Sequence, residues 1–194
     1  MGMQEGSSAP VEARRWTRDQ YERMVRAGVL TPEDKVELID GEILQVTPQS
    51  AAHAAAVMAV EEALRNAFGP GCAVRVQFPL ALTDDSEPEP DVAVVPGSWR
   101  DFREAHPSTA LLVVEVADAS IDYDRDRKGC LYARAGIEEY WIVNLVEQRL
   151  EVYRDPGKSD AGFAYQQVLH FCAGQHISPL AKPEARINLN DILA

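Results

Sequence analysis

Apolar residues follow two spacings along the chain, one typical of helices and one typical of strands. Over residues 50–68 they recur every three or four positions, which predicts an amphipathic helix that stops at Gly69. Thr17 and Gln20 match a capping box and predict a shorter helix that begins there. A third helix is predicted over residues 124–135 from the same periodicity.

The other apolar runs are short and alternate with polar residues, as strands do. Extended runs are predicted at residues 36–46, 73–82, 91–95, 111–117, 139–144, 149–153 and 165–171, with a loop at 155–162. Asp40-Gly41 interrupts the first run with a two-residue hairpin signal. The order of hairpin, helix, three strands, helix and further strands predicts an α/β or α+β fold, in which helices flank one mixed sheet.

The composition fits one globular domain. The chain has 194 residues, of which 46% are hydrophobic and 26% charged, enough for one core of ordinary size. Residues 1–13 lack periodicity and are expected to form a flexible arm before a single domain at 14–194. Neither a long apolar run nor a secretory signal pattern is present, so we expect a cytoplasmic protein with no membrane partner.

The charge balance argues against non-specific binding of nucleic acids. Lys and Arg number 19 against 31 Asp and Glu, which gives a net charge of −12 that repels polyanions. One stretch is locally positive, because its arginines outnumber Asp19 and Glu22. These arginines are Arg14, Arg15, Arg18, Arg23 and Arg26. We expect any contact with a polyanion to use this local surface.

Two acidic residues interrupt apolar strand runs. Strand alternation places Glu115 on one face with Val113 and Ala117, where it should be buried. A buried carboxylate requires a cation or several hydrogen-bond donors, so both a metal site and an internal salt bridge remain open for this residue. Asp91 follows Pro90 at the entry of a strand, which fits either a turn residue or a cation ligand.

Two more polar residues share helical faces with apolar ones, and a third lies in the predicted hairpin. Lys128 lies on the helical stripe of Leu131 and Tyr132, so its amine either faces the interior or extends along the core edge to water. His53 lies on the apolar face of the second predicted helix and could be structural. Glu37 stands in the hairpin, where a solvent-facing position is an equal alternative.

Several motifs together resemble a known family. They are Pro90-Asp91, Glu115-Val116-Ala117, and the run D-R-D-R-K-G-C-L-Y-A-R-A-G-I-E-E-Y-W-I-V at 124–143. The chain resembles the Uma-two family of restriction-type endonucleases, within the PD-(D/E)XK nuclease superfamily. The likeness spans roughly Trp16 to the C-terminus, and residues 128–141 are its most specific part.

The resemblance implies a mixed sheet flanked by helices and a DNA-cleaving site that uses Mg²⁺ or Mn²⁺. Asp91 and Glu115 would hold the metal, with the backbone carbonyl of Val116 as a further ligand. The superfamily lysine normally lies two residues after the second acid, where this chain has an alanine, so Lys128 from the following helix would take its place. Its amine would orient or deprotonate the attacking water, or support charge on the phosphate.

Glu37 and His53 match further catalytic positions of the family. Cutting both DNA strands would suit a homodimer, which is an expectation from function alone. We also expect that replacing Lys128 with Met lowers activity by about 10² or more and leaves folding nearly intact.

Two other functions compete with a nuclease. A nuclease-like fold without activity could serve as an interaction or regulatory module, which the acidic charge favours. A glycoside hydrolase could use Glu37 and Glu115 as its acid and base. The chain lacks the motifs of phosphate-binding loops, serine hydrolases, zinc peptidases and dinucleotide-binding folds, so these classes have no support.

Overall fold

The computed structural model describes residues 12–46, 48–160 and 162–193. The predicted arm at 1–13 therefore lies outside the described residues except for its last two positions. Helices α1 (Arg18–Arg26) and α2 (Ala51–Phe68) are regular. Helix α3 is one run made of an α-helical segment Ile121–Tyr123, a π-helical segment Asp124–Lys128 and an α-helical segment Gly129–Arg134.

Six strands form one mixed sheet, as the order of elements predicts. Its spatial order is β3-β4-β5-β6-β7-β8; β5 and β6 are parallel, and the other neighbours are antiparallel. Two small antiparallel pairs, β1-β2 and β9-β10, lie outside it. The strands are β1 Val36–Ile39, β2 Glu42–Gln45, β3 Cys72–Val76, β4 Val92–Pro96, β5 Leu112–Ala117, β6 Glu139–Asn144, β7 Arg149–Ser159, β8 Gly162–Cys172, β9 His176–Ile177 and β10 Ile187–Asn188.

The sheet buries both of its faces. One face packs on α2, through a core that includes Val60, Leu64 and Val114. The opposite face packs on α3, through a core that includes Val113 and Tyr132. Because β5 lies inside the sheet and is covered on both sides, all six of its residues are buried, and the carboxylate of Glu115 is buried with them.

The predicted starts of α1 and α2 and the hairpin are confirmed, whereas α3 begins at Ile121, before the predicted Asp124. The Thr17 hydroxyl and the Gln20 side chain cap each other's backbone amides at the start of α1, and Ser50 caps α2 by accepting from the His53 amide. Asp40 and Gly41 have φ angles of 51° and 75°, the conformation that a two-residue hairpin turn requires.

Two predicted boundaries are wrong. The strand predicted at 73–82 ends at Val76, because Gln77 adopts a positive φ of 53° and turns the chain away from the sheet. The loop predicted at 155–162 is largely strand, because β7 continues to Ser159 in a long hairpin with β8. Pro156 is tolerated there because β6 pairs with β7 only as far as Arg154, so its missing N–H removes no bond to β6.

Candidate active site

All six residues predicted for the site line one cleft of about 1010 Å³; they are Glu37, His53, Asp91, Glu115, Val116 and Lys128. The cleft opens where β4 and β5 separate. Their pairing stops at Val92 and Val114, and side chains then bridge the strands. The Asp91 amide donates to Glu115 Oε2 at 3.2 Å, and the Val116 amide donates to Asp91 Oδ2 at 2.8 Å.

Asp91 is buried and held by three side-chain donors. Its Oδ1 accepts from His53 Nε2 at 3.0 Å, from Gln77 Nε2 at 3.2 Å and from Gln49 Nε2 at 3.4 Å. Burial alone would raise the pKa of Asp91, but these donors, with the Val116 amide, outweigh it and lower that pKa below its usual range. The hydrogen bond to Asp91 in turn raises the pKa of His53. Asp91 is therefore ionised at neutral pH.

Glu115 and Lys128 form a buried ion pair. Lys128 Nζ lies 3.0 Å from Glu115 Oε1 and 3.7 Å from Glu37 Oε1, and all three side chains are less than one-tenth exposed. Burial raises the pKa of Glu115, and the Lys128 charge opposes this rise. Burial would lower the pKa of Lys128, but Glu115, Glu37 and Asp124 raise it well above its usual value. The lysine amine faces the interior, so the salt bridge considered for Glu115 is formed with Lys128.

A widened helical turn presents Lys128 to the cleft. Within the π-helical segment of α3 the Gly129 amide donates to the Asp124 carbonyl, five residues earlier. The Tyr140 hydroxyl donates to the same carbonyl at 3.1 Å, so this wider turn is anchored from β6. In a helix with this spacing, residues four and five apart lie on one side. Tyr123, Asp124 and Lys128 consequently all line the cleft.

The residues around the predicted set that were missed include Gln49, Gln77, Tyr123, Asp124 and Tyr132. The Tyr132 hydroxyl donates to Glu115 Oε1 at 2.6 Å. Asp124 is buried and accepts from the Ser120 hydroxyl, while the buried Tyr123 hydroxyl has no partner in the described chain. Tyr132 and Asp124 each lie four residues from Lys128, a helical spacing that could have identified them. Gln77 has no comparable signal, because its place depends on its left-handed backbone.

Comparison with known families decides the family of the chain. The model of the Uma2 family, described as "Putative restriction endonuclease", matches residues 18–190. The chain belongs to the Uma2 family. It is thereby a member of a nuclease family, as the sequence motifs indicated. None of the curated proteins matches it significantly.

A solved structure has the same fold as this Uma2 protein. It is the crystal structure of "a putative nuclease belonging to DUF820" from Anabaena variabilis, with a TM-score of 0.68 and 15% sequence identity. The match covers 91% of this chain and 97% of that chain. At this level of identity the likeness shows the fold, which is the restriction-endonuclease-like mixed sheet that was predicted. Across the described residues, no helix is long and apolar enough to cross a membrane.

The positive surface expected around α1 of the Uma2 protein is largely neutralised. Acidic residues lie one helical turn from the arginines or reach them from the hairpin, so most of these guanidiniums have a carboxylate partner. The pairs are Arg23–Asp19, Arg18–Glu22, Arg26–Glu22 and Arg15–Glu42. The expectation that these arginines attract a polyanion is therefore not supported by their contacts.

The outer part of the cleft contains an unusual carboxylate. Glu87 is 6% exposed, and its Oε2 atom is buried without a hydrogen-bond partner in the described chain. Burial, with Glu22 and Glu89 nearby, raises the pKa of Glu87 to about 7, although Arg18 opposes the shift. Since the ordinary value is 4.5, the folded protein holds the proton more tightly than the unfolded chain does.

We expect the replacement Glu87→Gln to stabilise the protein at pH 8 by about 2 kcal/mol. A carboxyl group whose pKa is raised on folding stabilises the folded protein below pH 4.5, and this stabilisation is lost as the pH rises through about 7. The stability gained by Glu87→Gln should therefore vanish near pH 4. Urea unfolding at pH 4 and at pH 8 measures this change in the free energy of unfolding. Glu62→Gln, on the exposed side of α2, is the control and should change little. Equal gains in both variants would contradict the assignment to burial.

Proposed function

We propose that this Uma2 protein is a metal-dependent endonuclease that hydrolyses the phosphodiester bonds of DNA. The observation that carries the proposal is the meeting of Asp91, Glu115 and Lys128 in one cleft, where β4 and β5 separate. Two acids and a lysine at such a position match the constellation that the PD-(D/E)XK superfamily uses. Membership in a nuclease family supports the same reaction class.

The donor atoms of the site fit a hard divalent cation, for which carboxylate and carbonyl oxygens are the preferred ligands. Asp91 Oδ2 and Glu115 Oε2 each accept one hydrogen bond from the described chain, so each keeps a lone pair. The described residues contain no group of three or more His, Cys, Asp or Glu side chains placed to hold a metal. We therefore assign the third protein ligand to the Val116 carbonyl.

Mg²⁺ or Mn²⁺ bound there would lower the pKa of a water and offset charge on the phosphate. The raised pKa of Lys128 keeps its amine protonated, which favours a role as a charged donor to a phosphate oxygen over a role as a base. Glu37 lies 3.7 Å from that amine and helps to hold it, and His53 orients the Asp91 carboxylate. These two residues act as positioning groups.

Supercoiled plasmid incubated with the purified protein and Mg²⁺ or Mn²⁺ should be converted to nicked and linear DNA. The same incubation with EDTA should leave the plasmid intact, because Asp91 and Glu115 without a metal ion provide no Lewis acid. Gel electrophoresis separates the three forms. Cleavage that persists in EDTA would contradict the metal-dependent mechanism.

The homodimer stays a prediction, tested by the mass of the protein in solution.

A nuclease-like module without activity is the second candidate, and one observation favours it. The arginines around α1 are mostly paired, and the net charge is −12, so the protein offers DNA little long-range attraction. Calorimetric titration with Mn²⁺ distinguishes the two functions. A nuclease should bind the ion in an Asp91-dependent way, whereas a module that only binds partners has no need of it.

A further inference from the structure

An exposed aromatic residue lies in the chain between two residues that line the cleft, Gln77 and Pro79. Gln77 turns the chain away from β3, and its amide donates to the carbonyls of Pro90 and Asp91. This turn directs the Gln77 side chain to Asp91 and leaves the next residue, Phe78, 56% exposed. A large apolar side chain exposed beside a functional site often marks a binding surface.

A cation lies against this ring without an acidic partner. The Arg75 guanidinium is 5.3 Å from the Phe78 ring centroid and 5.6 Å from that of Phe102. Its Nη2 atom donates to the Pro79 carbonyl at 3.3 Å and lies 3.2 Å from His106 Nδ1. The structure gives Arg75 no carboxylate within ion-pair distance among the described residues, and its Nε is buried without a partner.

Other arginines on nearby elements differ from Arg75 because they have acidic partners. Arg18, Arg127 and Arg134 are each paired with at least one carboxylate. Burial and the Arg75 charge lower the pKa of His106, so its imidazole is neutral at pH 7 and accepts a hydrogen bond from Arg75. In an acidic protein, Arg75 therefore combines a positive charge, an adjacent exposed ring and contacts to two cleft-lining residues, Pro79 and His106. This combination is complementary to an anion attached to a flat ring.

We propose that Arg75 and Phe78 form a platform for one unpaired nucleotide of a DNA strand entering the cleft. The base stacks on Phe78 and the adjoining phosphate lies near Arg75. The inference rests on the proposed function and narrows its substrate class to DNA with a single-stranded segment. A base within a duplex has both faces covered by its neighbours, so it offers no face to Phe78.

The binding of a short fluorescein-labelled oligothymidylate, measured by anisotropy in EDTA and low salt, tests the platform without cleavage. Phe78→Ala should weaken binding by about 10-fold, since stacking of one base accounts for this much. Phe78→Leu, which keeps an apolar side chain but removes the aromatic face, should weaken it similarly. Arg75→Met should lower the dependence of log affinity on log salt by about 0.7, the share of one phosphate in a single strand.

Trp99→Ala is the matched control. Trp99 is 64% exposed with Arg100 over its ring at 4.5 Å, but it follows the far end of β4 from Asp91. This variant should bind like the parent. The platform is refuted if the parent does not bind the oligonucleotide, if Trp99→Ala weakens binding as much as Phe78→Ala, or if the parent binds a blunt duplex as tightly. Normal binding without any metal-dependent cleavage would refute the proposed function and leave the platform standing.

Discussion

Replacing Lys128 with Met is expected to lower the free energy of unfolding by about 3–5 kcal/mol at pH 8, as when one partner of a buried ion pair is removed. The replacement leaves Glu115 and Glu37 buried without their shared cation, which lies 3.0 Å and 3.7 Å from their oxygens. Cleavage should fall by about 10² or more, because a charged donor to the phosphate is lost. Folding is therefore not expected to stay nearly intact, contrary to the interpretation of the sequence alone.

The loss of stability should depend on pH. Without Lys128 the pKa of Glu115, which burial already raises, should rise further. A carboxyl with a raised folded-state pKa adds stability below its unfolded value of 4.5 and loses it as the pH rises through the folded value. The parent shares this loss up to its own folded pKa of about 8, so the additional deficit of Lys128→Met should grow above that pH, which urea unfolding at pH 7 and pH 9 measures.

A double variant separates folding from chemistry. Lys128→Met combined with Glu115→Gln removes both charges, so it should recover much of the stability and none of the activity. Lys158→Met, at an exposed position of β7, is the control and should match the parent in both measurements. A stable, fully active Lys128→Met protein would show that the amine serves neither purpose.

The variant Asp91→Asn should lose cleavage by roughly 10²–10³-fold, a loss comparable to removing a main electrostatic group of an active site. It should also abolish stabilisation by metal. If the parent binds Mn²⁺ or Mg²⁺ at Asp91 and Glu115, a concentration 100 times the dissociation constant stabilises it by about 2.7 kcal/mol. The variant keeps the shape of the side chain but loses its charge, so its thermal midpoint should hardly respond to metal.

The structure also predicts a loss of stability for Asp91→Asn without metal. The carboxylate accepts from His53, Gln77 and the Val116 amide, and an Asn side chain would set its amide group against one of these donors. We expect a loss of about 1–3 kcal/mol. Asp126→Asn, on an exposed position of α3, controls for the change of charge. A metal-induced shift of equal size in Asp91→Asn and the parent would exclude Asp91 as a ligand.

Local signals predicted much of the fold. The capping residue Thr17 and the turn at Asp40-Gly41 were identified because such preferences act between residues close in the chain. The end of β3 and the length of β7 were not predicted. A left-handed Gln77 is held by Pro90 and Asp91, and strand β7 is extended by its pairing with β8, so both depend on contacts with distant residues.

The sequence by itself singled out Glu115 and Lys128 as residues that need a partner or a ligand. Glu115 and Lys128 interrupt apolar patterns, and a charged residue at such a position needs a buried partner or a ligand. Only the tertiary structure decided which residues are the partners of these charged groups. It pairs Lys128 with Glu115, sets His53 against Asp91 and neutralises the arginines of α1. Within the described part of the chain it gives Arg75 no carboxylate partner. The physical reason is that periodicity reports burial along one element, whereas charge pairing depends on distances of a few ångströms between elements that only folding brings together.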